Sequence, residues 1–381
     1  MVLEQRGMKT SPVKRLLDFG QSPWLDFIER ELLRSGELTR MIAEWGLQGM
    51  TSNPAIFEKA IAQTRQYDRE IATLAAAGRP AEQVYEMLAI ADVQAAADLF
   101  RPVYDGSDGA DGYVSLEVSP RLAADAEGTI SEARRLWAAL GQPNVMIKVP
   151  GTPAGLVAIR ELIGDGINVN VTLLFSVERY REVAAAYAAG LEAALEAGRP
   201  LARIASVASF FLSRIDTAVD ARLDRLARDD EARANEALRL RGAAAIASAR
   251  LAYAVYEESI ATPRWRRLAA DGARVQRLLW ASTGTKDPAY SDVKYVEPLI
   301  GPATVNTLPL DTLRAYHEHG DPAARLTGHR EAAERIAAAL AALSIDLEAV
   351  AAKLLEEGIV KFVQPYDSLL ATLERAGAQR A

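Results

Sequence analysis

The chain contains no cysteine. That excludes disulfides, thiolate metal sites, iron–sulfur clusters and a cysteine nucleophile. Histidine is almost as scarce: His317, His319 and His329 are the three in 381 residues, all in one late stretch. Neither a multi-histidine metal centre nor a Ser–His–Asp triad spread along the chain has residues to draw on. There is no excess of positive charge, with 44 Lys and Arg against 51 Asp and Glu for a net −7, so no basic field is offered to nucleic acid or anionic lipid. No apolar run approaches membrane-spanning length, and the stretch through Pro23 lacks the apolar core of a secretory leader. A cytoplasmic protein is expected. Lysine is also rare, eight of the 44 basic residues. The chemistry therefore falls to Lys, Asp, Glu, Asn, Thr and Ser, and a lysine inside an apolar strand stands out.

Half of the residues are hydrophobic and a quarter charged, the balance of a chain with a substantial core. Short apolar runs alternate with stretches of helical period. The runs are Pro23–Ile28, Leu47–Thr51, Tyr113–Val118, Val145–Val149, Ile167–Leu174, Ile204–Phe211, Leu278–Ser282 and Ala303–Leu308. Helical stretches such as Ser131–Leu140, Pro153–Ile163 and Val177–Ala197 follow most of them. Alternation of this kind implies a parallel sheet. Eight units predict a closed (β/α)8 TIM barrel; an open doubly wound sheet is the alternative, but no GxGxxG turn follows the first strand. Two segments exceed a minimal barrel, about 57–112 (two or three helices ending in the Gly/Asp loop Asp105–Gly112) and about 216–262. A C-terminal helical tail occupies about 345–381. The expectation is one domain. The Arg/Ala-rich Arg222–Arg250 is interleaved with acids and reads as a solvated helix.

Within the strands, side chains alternate between faces. Ile167, Val169, Val171 and Leu173 oppose Asn168, Asn170 and Thr172. Val114, Leu116 and Val118 oppose Tyr113, Ser115 and Glu117, and Val145, Ile147 and Val149 oppose Met146 and Lys148. Trp24 and Asp26 make a further pair opposite Leu25 and Phe27. In a barrel the helix-facing set must be apolar, so the polar set points into the lumen. A wet surface sheet or structural ion pairs plugging the lumen would give the same pattern. The reactive reading rests on the cost of buried Lys and Glu and on their position toward the C-terminal ends of strands, where barrel active sites form. A desolvated lysine amine can lose its proton, attack a ketone and form a Schiff base. The iminium is an electron sink that lets the C3–C4 bond of a ketose break, with no metal or organic cofactor required. Such a site needs acid/base groups; Glu117 and Asp26 are the carboxylates at hand, and Asn and Thr can orient hydroxyls and water.

Several motifs now fall into order along the chain. GMTSNPAIF at Gly49–Phe57 resembles the Thr-Ser/Thr-Asn-Pro motif of transaldolases, and VMIKVPGT at Val145–Thr152 resembles the segment around their Schiff-base lysine. SLEVSPR at Ser115–Arg121 and GINVNVTLLFS at Gly166–Ser176 are also similar to family segments. The resemblance spans about Ser22 to Thr327. It implies a (β/α)8 barrel acting on sugar phosphates in the pentose phosphate pathway, with a dihydroxyacetone group carried on Lys148. Asp26 would handle the C4 hydroxyl, Glu117 and Thr172 the catalytic water, and Asn53 and Asn170 the dihydroxyacetone hydroxyls. In SVASFFLSR at Ser206–Arg214, the resemblance makes Ser209 a hydroxyl ligand, Phe211 a pocket residue and Arg214 a phosphate-binding arginine.

The chain departs from the shorter transaldolases after the seventh strand, where they carry a serine closely followed by a second phosphate-binding arginine. Here the stretch is ASTGTKDP at Ala281–Pro288. Small residues with free backbone N–H groups and a lysine can cradle a phosphate, which assigns that task to Ser282 and Lys286, an ordinary glycine turn being the other reading. This stretch and the helical excursions resemble the longer transaldolase branch. A Schiff-base aldolase that releases free dihydroxyacetone is the competing activity. Glu117 favours transfer, since the aldolase branch carries Gln there, and Phe211 does too, since a tyrosine would suit protonation of the enamine. A non-catalytic barrel is a remote third reading. Trp24 and Phe57 read as core. His317 and His319 would share a face if extended, but with no further ligand nearby they read as a solvated helix end. The resemblance leaves a monomer or a homodimer open.

Overall fold

The computed structural model describes residues 10–378. Eight parallel strands close on themselves in sequence order: β1 Gln21–Asp26, β2 Gly49–Thr51, β3 Tyr113–Glu117, β4 Val145–Pro150, β5 Val169–Leu174, β6 Ser206–Phe211, β7 Arg277–Ala281 and β8 Thr304–Leu308. β8 pairs with β1 to complete the (β/α)8 barrel. Every expected strand is present, with boundaries shifted by one or two residues at several ends.

Thirteen helices of eight residues or more, all among the described residues, surround it. They are α1 Pro54–Ala62, α2 Asp68–Ala76, α3 Ala81–Gly106, α4 Ala126–Leu140, α5 Pro153–Gly164, α6 Val177–Glu196, α7 Ser213–Asp229, α8 Glu231–Leu240, α9 Ala244–Ile260, α10 Pro263–Ala270, α11 Leu310–His319, α12 Arg330–Ala342 and α13 Leu347–Ala378. Several start the same way, with a capping side chain followed by proline. Asn53 and Thr152 each accept from the backbone N–H three residues on, with Pro54 and Pro153 at the first helical position. The cap satisfies an orphan N–H and the proline fixes φ for the first turn, so each chain turns sharply from strand into helix at the barrel rim.

Register places the inward set in layers. Trp24 pairs with Gly49, and Gly49 with Tyr113; Trp24, Tyr113 and Met146 are 0–2% exposed and fill the lower lumen. Above them, Glu117 pairs in register with Lys148, and Lys148 with Asn170. The apolar face of each strand packs on the helices, with Val114, Val145, Ile147, Val169 and Val171 all fully buried.

One expectation needs correction. The segment Arg222–Arg250 is not one solvated helix: α8 is largely exposed, but Ala244, Ala245 and Ala249 at the start of α9 are fully buried, because small side chains let that helix pack closely under its neighbours. His317 and His319 lie at the end of α11, the helix end that the sequence led us to expect, and so point to different sides. His317 stacks on Trp45 at 4.2 Å and contacts the Ser11 hydroxyl at 2.9 Å, while His319 meets Asp292 at 3.2 Å. No group of three His, Cys, Asp or Glu among the described residues could hold a metal, and no helix there is long and apolar enough to cross a membrane.

Candidate active site

The C-terminal end of the barrel opens into a cavity of about 900 Å³, mouth included. Asp26, Asn53, Lys148, Thr172, Ser209, Phe211, Arg214, Ser282 and Lys286 all line it. Glu117 and Asn170 lie against its wall through their partners. Glu117 Oε2 is 3.1 Å from Lys148 Nζ, with both side chains 5% exposed. Asn170 donates to Ser115 Oγ at 3.0 Å and accepts from Ser209 Oγ at 2.7 Å. The structure thus brings together all eleven residues singled out from the sequence.

The Thr-Ser-Asn-Pro segment uses its polar groups residue by residue. Thr51 ends β2 and donates to Asp26 Oδ1 at 2.8 Å, lying 2.8 Å from the Thr307 hydroxyl. Ser52 donates to the Ser115 carbonyl at 2.8 Å, and its own carbonyl accepts from Lys148 Nζ at 2.9 Å. Asn53 caps α1 through Oδ1, which leaves its amide N–H groups for the cavity. One tetrapeptide therefore fixes the lysine, a carboxylate and a helix start.

Burial pushes the Glu117 carboxyl above its ordinary value; Lys148 opposes that rise and the nearby Asp26 charge adds to it. Burial likewise raises Asp26, against the pull of Lys148, the Thr51 hydroxyl, Arg214 and Lys286. Two acids held toward neutral pH beside one amine suit proton transfer. Two groups have unspent bonding capacity: among the described residues, Thr172 Oγ1 and Arg214 Nη1 are buried without a hydrogen-bond partner. Arg214 stands 5.6 Å over the Phe211 ring.

Two of the five non-glycine residues with positive φ among the described residues, Leu173 and Ser282, lie at this end of the barrel. β5 is irregular between Val171 and Leu174, and Leu173 has φ +60°. Ser282, at the end of β7, has φ +54°, and its hydroxyl lies 2.9 Å from that of Ser213. Left-handed backbone at a non-glycine residue costs on the order of 1–3 kcal/mol. Beside Leu173 the strain sets the aim of the Thr172 side chain into the cavity.

The family model for Transaldolase/Fructose-6-phosphate aldolase matches residues 23–373. The chain belongs to this family. It is 50% identical over 372 residues to Transaldolase 2 of Nostoc sp. strain PCC 7120, covering 96% of this chain and 98% of that protein. It is 49% identical over 361 residues to Transaldolase of Thermobifida fusca strain YX, covering 94% and 96%. Transaldolase of Thiobacillus denitrificans is 49% identical over 364 residues, 96% and 99% of the two chains.

For a member of the transaldolase family, the cavity holds groups that sequence reasoning missed. Lys59 on α1 and Lys361 on α13 line it, as does Phe362, whose ring lies 5.9 Å from Lys148 Nζ. The long C-terminal helix thus crosses the barrel mouth. Of the seven lysines among the described residues, four face this single cavity, and the scarcity of lysine was the available signal.

Proposed function

We propose that this chain is a transaldolase that carries dihydroxyacetone on Lys148, moving it reversibly from sedoheptulose 7-phosphate to glyceraldehyde 3-phosphate to give erythrose 4-phosphate and fructose 6-phosphate. The observation that supports this most is the Lys148–Glu117 pair buried at the base of a cavity whose rim carries Arg214 and Lys286. Lys148 Nζ attacks the C2 carbonyl of the ketose. Glu117 donates a proton to the departing hydroxyl of the carbinolamine, and the free Thr172 hydroxyl holds the water that leaves. Asp26 takes the proton of the C4 hydroxyl, the C4–O bond becomes a carbonyl, and the C3–C4 electron pair moves into the iminium. The aldose departs and an enamine stays on Lys148. An acceptor aldehyde then takes the C3 carbon, Asp26 returns the proton to the new alkoxide, and water held by Glu117 and Thr172 hydrolyses the imine. Asn53, Ser209 and a remaining Asn170 N–H orient the dihydroxyacetone hydroxyls. Arg214, Lys286 and Ser282 take the phosphate, so the partners of the site are sugar phosphates.

Transfer rather than release is favoured by a wall at Phe211, which is 8% exposed and packs on Phe175 at 5.2 Å. It offers no hydroxyl to protonate the enamine. The test supplies fructose 6-phosphate with and without erythrose 4-phosphate and measures sedoheptulose 7-phosphate and free dihydroxyacetone. Formation of the seven-carbon product well ahead of release is expected. Release at the same rate without acceptor would make the chain an aldolase.

A further inference from the structure

The helix that begins beside the cavity, α7, carries Asp216, Asp220 and Asp224 four residues apart on one face. Asp216 and Asp220 are only 1% and 6% exposed, so this is no solvated stripe. Each acid reaches the connection between β7 and β8, or the segment behind it. Asp216 accepts from the Tyr295 hydroxyl at 2.9 Å and lies 2.9 Å from Lys294 Nζ. Asp220 accepts from the Tyr290 hydroxyl at 2.7 Å and from the Gly242 N–H at 2.8 Å. Asp224 pairs with Arg241 at 2.8 Å, and the same guanidinium donates to Asp287 at 3.2 Å. Nearer the cavity, the Ser213 N–H donates to the Ser282 carbonyl at 3.1 Å.

The packing of this ladder is close. Lys294 Nζ lies 3.3 Å from the centre of the Tyr290 ring. Gly242, at φ +67°, passes so near that a Cβ there would fall 2.3 Å from Lys294 Nζ and 2.8 Å from Tyr290 Cζ. Only glycine meets both the conformation and the clearance.

The ladder joins two pieces of one anion site: α7 carries Arg214 in its first turn, and the β7–β8 connection carries Ser282 and Lys286. Lys286 is followed by Asp287, an acid that would otherwise compete for its ammonium and repel a phosphate. Arg241 occupies that carboxylate. We propose that the acidic face of α7, acting through Arg241 and Tyr290, clamps the β7–β8 connection, so that Arg241 and Tyr290 are positioning residues for the recognition of phosphorylated sugars. The proposal rests on the phosphate reading of Arg214 and Lys286 above. A connection left free must be ordered when substrate binds, which weakens binding without altering the chemical step.

The test uses the full chain as wild type, Arg241→Met, Arg241→Lys and Tyr290→Phe. Fructose 6-phosphate and fructose serve as donors, each with unphosphorylated glyceraldehyde as acceptor, and inorganic phosphate as competitive inhibitor. Arg241 is 30% exposed, so the methionine variant should fold, checked by its melting curve. Arg241→Met should raise KM for fructose 6-phosphate and the inhibition constant of phosphate together, by about tenfold, the worth of roughly one charge-assisted contact. Its kcat, and kcat/KM for fructose, should stay within about twofold of wild type. Arg241→Lys should recover part of the loss, and Tyr290→Phe should shift the same two constants by less. Equal effects on both donors, or an unchanged KM for fructose 6-phosphate, would overturn the clamp. A wild type with neither phosphate inhibition nor preference for the phosphorylated donor would instead remove the phosphate reading, and the clamp with it.

Discussion

Two buried ionic clusters occupy opposite ends of the same lumen, and they are built differently. At the floor, Arg277 donates to Ser22 Oγ at 2.7 Å, to Asp111 Oδ1 at 2.9 Å and to the Ala110 carbonyl at 2.9 Å. Asp111 also accepts from Trp24 Nε1 at 3.0 Å and from the Ser22 hydroxyl. Both carboxylate oxygens and both terminal guanidinium nitrogens are engaged. At the mouth, Lys148 has Glu117 and one carbonyl, while Thr172 Oγ1 and Arg214 Nη1 have no partner among the described residues. A buried polar group without a partner is costly, and these two stand where a substrate in the cavity can complete them. The saturated cluster staples the barrel; the unsaturated one holds capacity for substrate.

Exchanging lysine for methionine at the mouth should give the largest effect. Lys148→Met should reduce turnover by about 10⁴-fold or more, since no nucleophile replaces it. The melting temperature should hold, because burial raises the Glu117 carboxyl, so that without Lys148 the acid takes up a proton instead of remaining a stranded charge. Turnover above about one per cent of wild type would dissolve the contrast. Asp26→Asn should cost about 10²–10⁴-fold in kcat and remove the acid limb of the wild-type pH profile, a limb whose midpoint lies above the ordinary carboxylate range. Stability should move the other way. The folded acid holds its proton more tightly than the unfolded one, so its contribution is full below the unfolded value and is lost as pH rises through the folded value. Asp26→Asn should therefore melt higher than wild type at about pH 8, a gain that vanishes near pH 4; a lower melting point at both would contradict the sign.

At the floor the expected loss is structural. Arg277→Met should cost about 3–5 kcal/mol of stability by denaturant titration, the consequence of stranding a buried charge, while kcat of the folded fraction stays near wild type. A wild-type midpoint would erase the distinction between the two ends. The smallest effect belongs to Lys361→Met. Lys361 is 52% exposed and 3.4 Å from Glu357, so KM for sugar phosphates should rise only about two- to fivefold with kcat unchanged. No change in KM would take the C-terminal helix out of phosphate recognition.

The barrel could be read from the sequence because its lumen and its helices impose opposite demands on alternate residues of every strand. Lys148 stood out for the same reason, a rare residue in an apolar strand. The mouth was harder. Lys59 and Lys361 sit on helix surfaces whose local sequence is the same whether they face solvent or a cavity; only docking of α13 across the barrel decides. Asp216, Asp220 and Asp224 have visible four-residue spacing, but an acid looks alike in sequence whether its partner is water or a tyrosine some 70 residues later, as in the 70-residue separation of Asp220 and Tyr290. The turn at Leu173 has no sequence mark, since leucine rarely adopts positive φ. His317 and His319 were readable as a helix end, and they close α11, where alternate residues point to different sides.

The most direct measurement is borohydride reduction of the folded chain in the presence of fructose 6-phosphate, followed by peptide mass mapping. The cavity holds Lys59, Lys286 and Lys361 beside Lys148, so the experiment chooses among four amines exposed to the same substrate. A reduced dihydroxyacetone adduct on Lys148 alone is the predicted result. An adduct on one of the other three, or none on a folded protein, would contradict it.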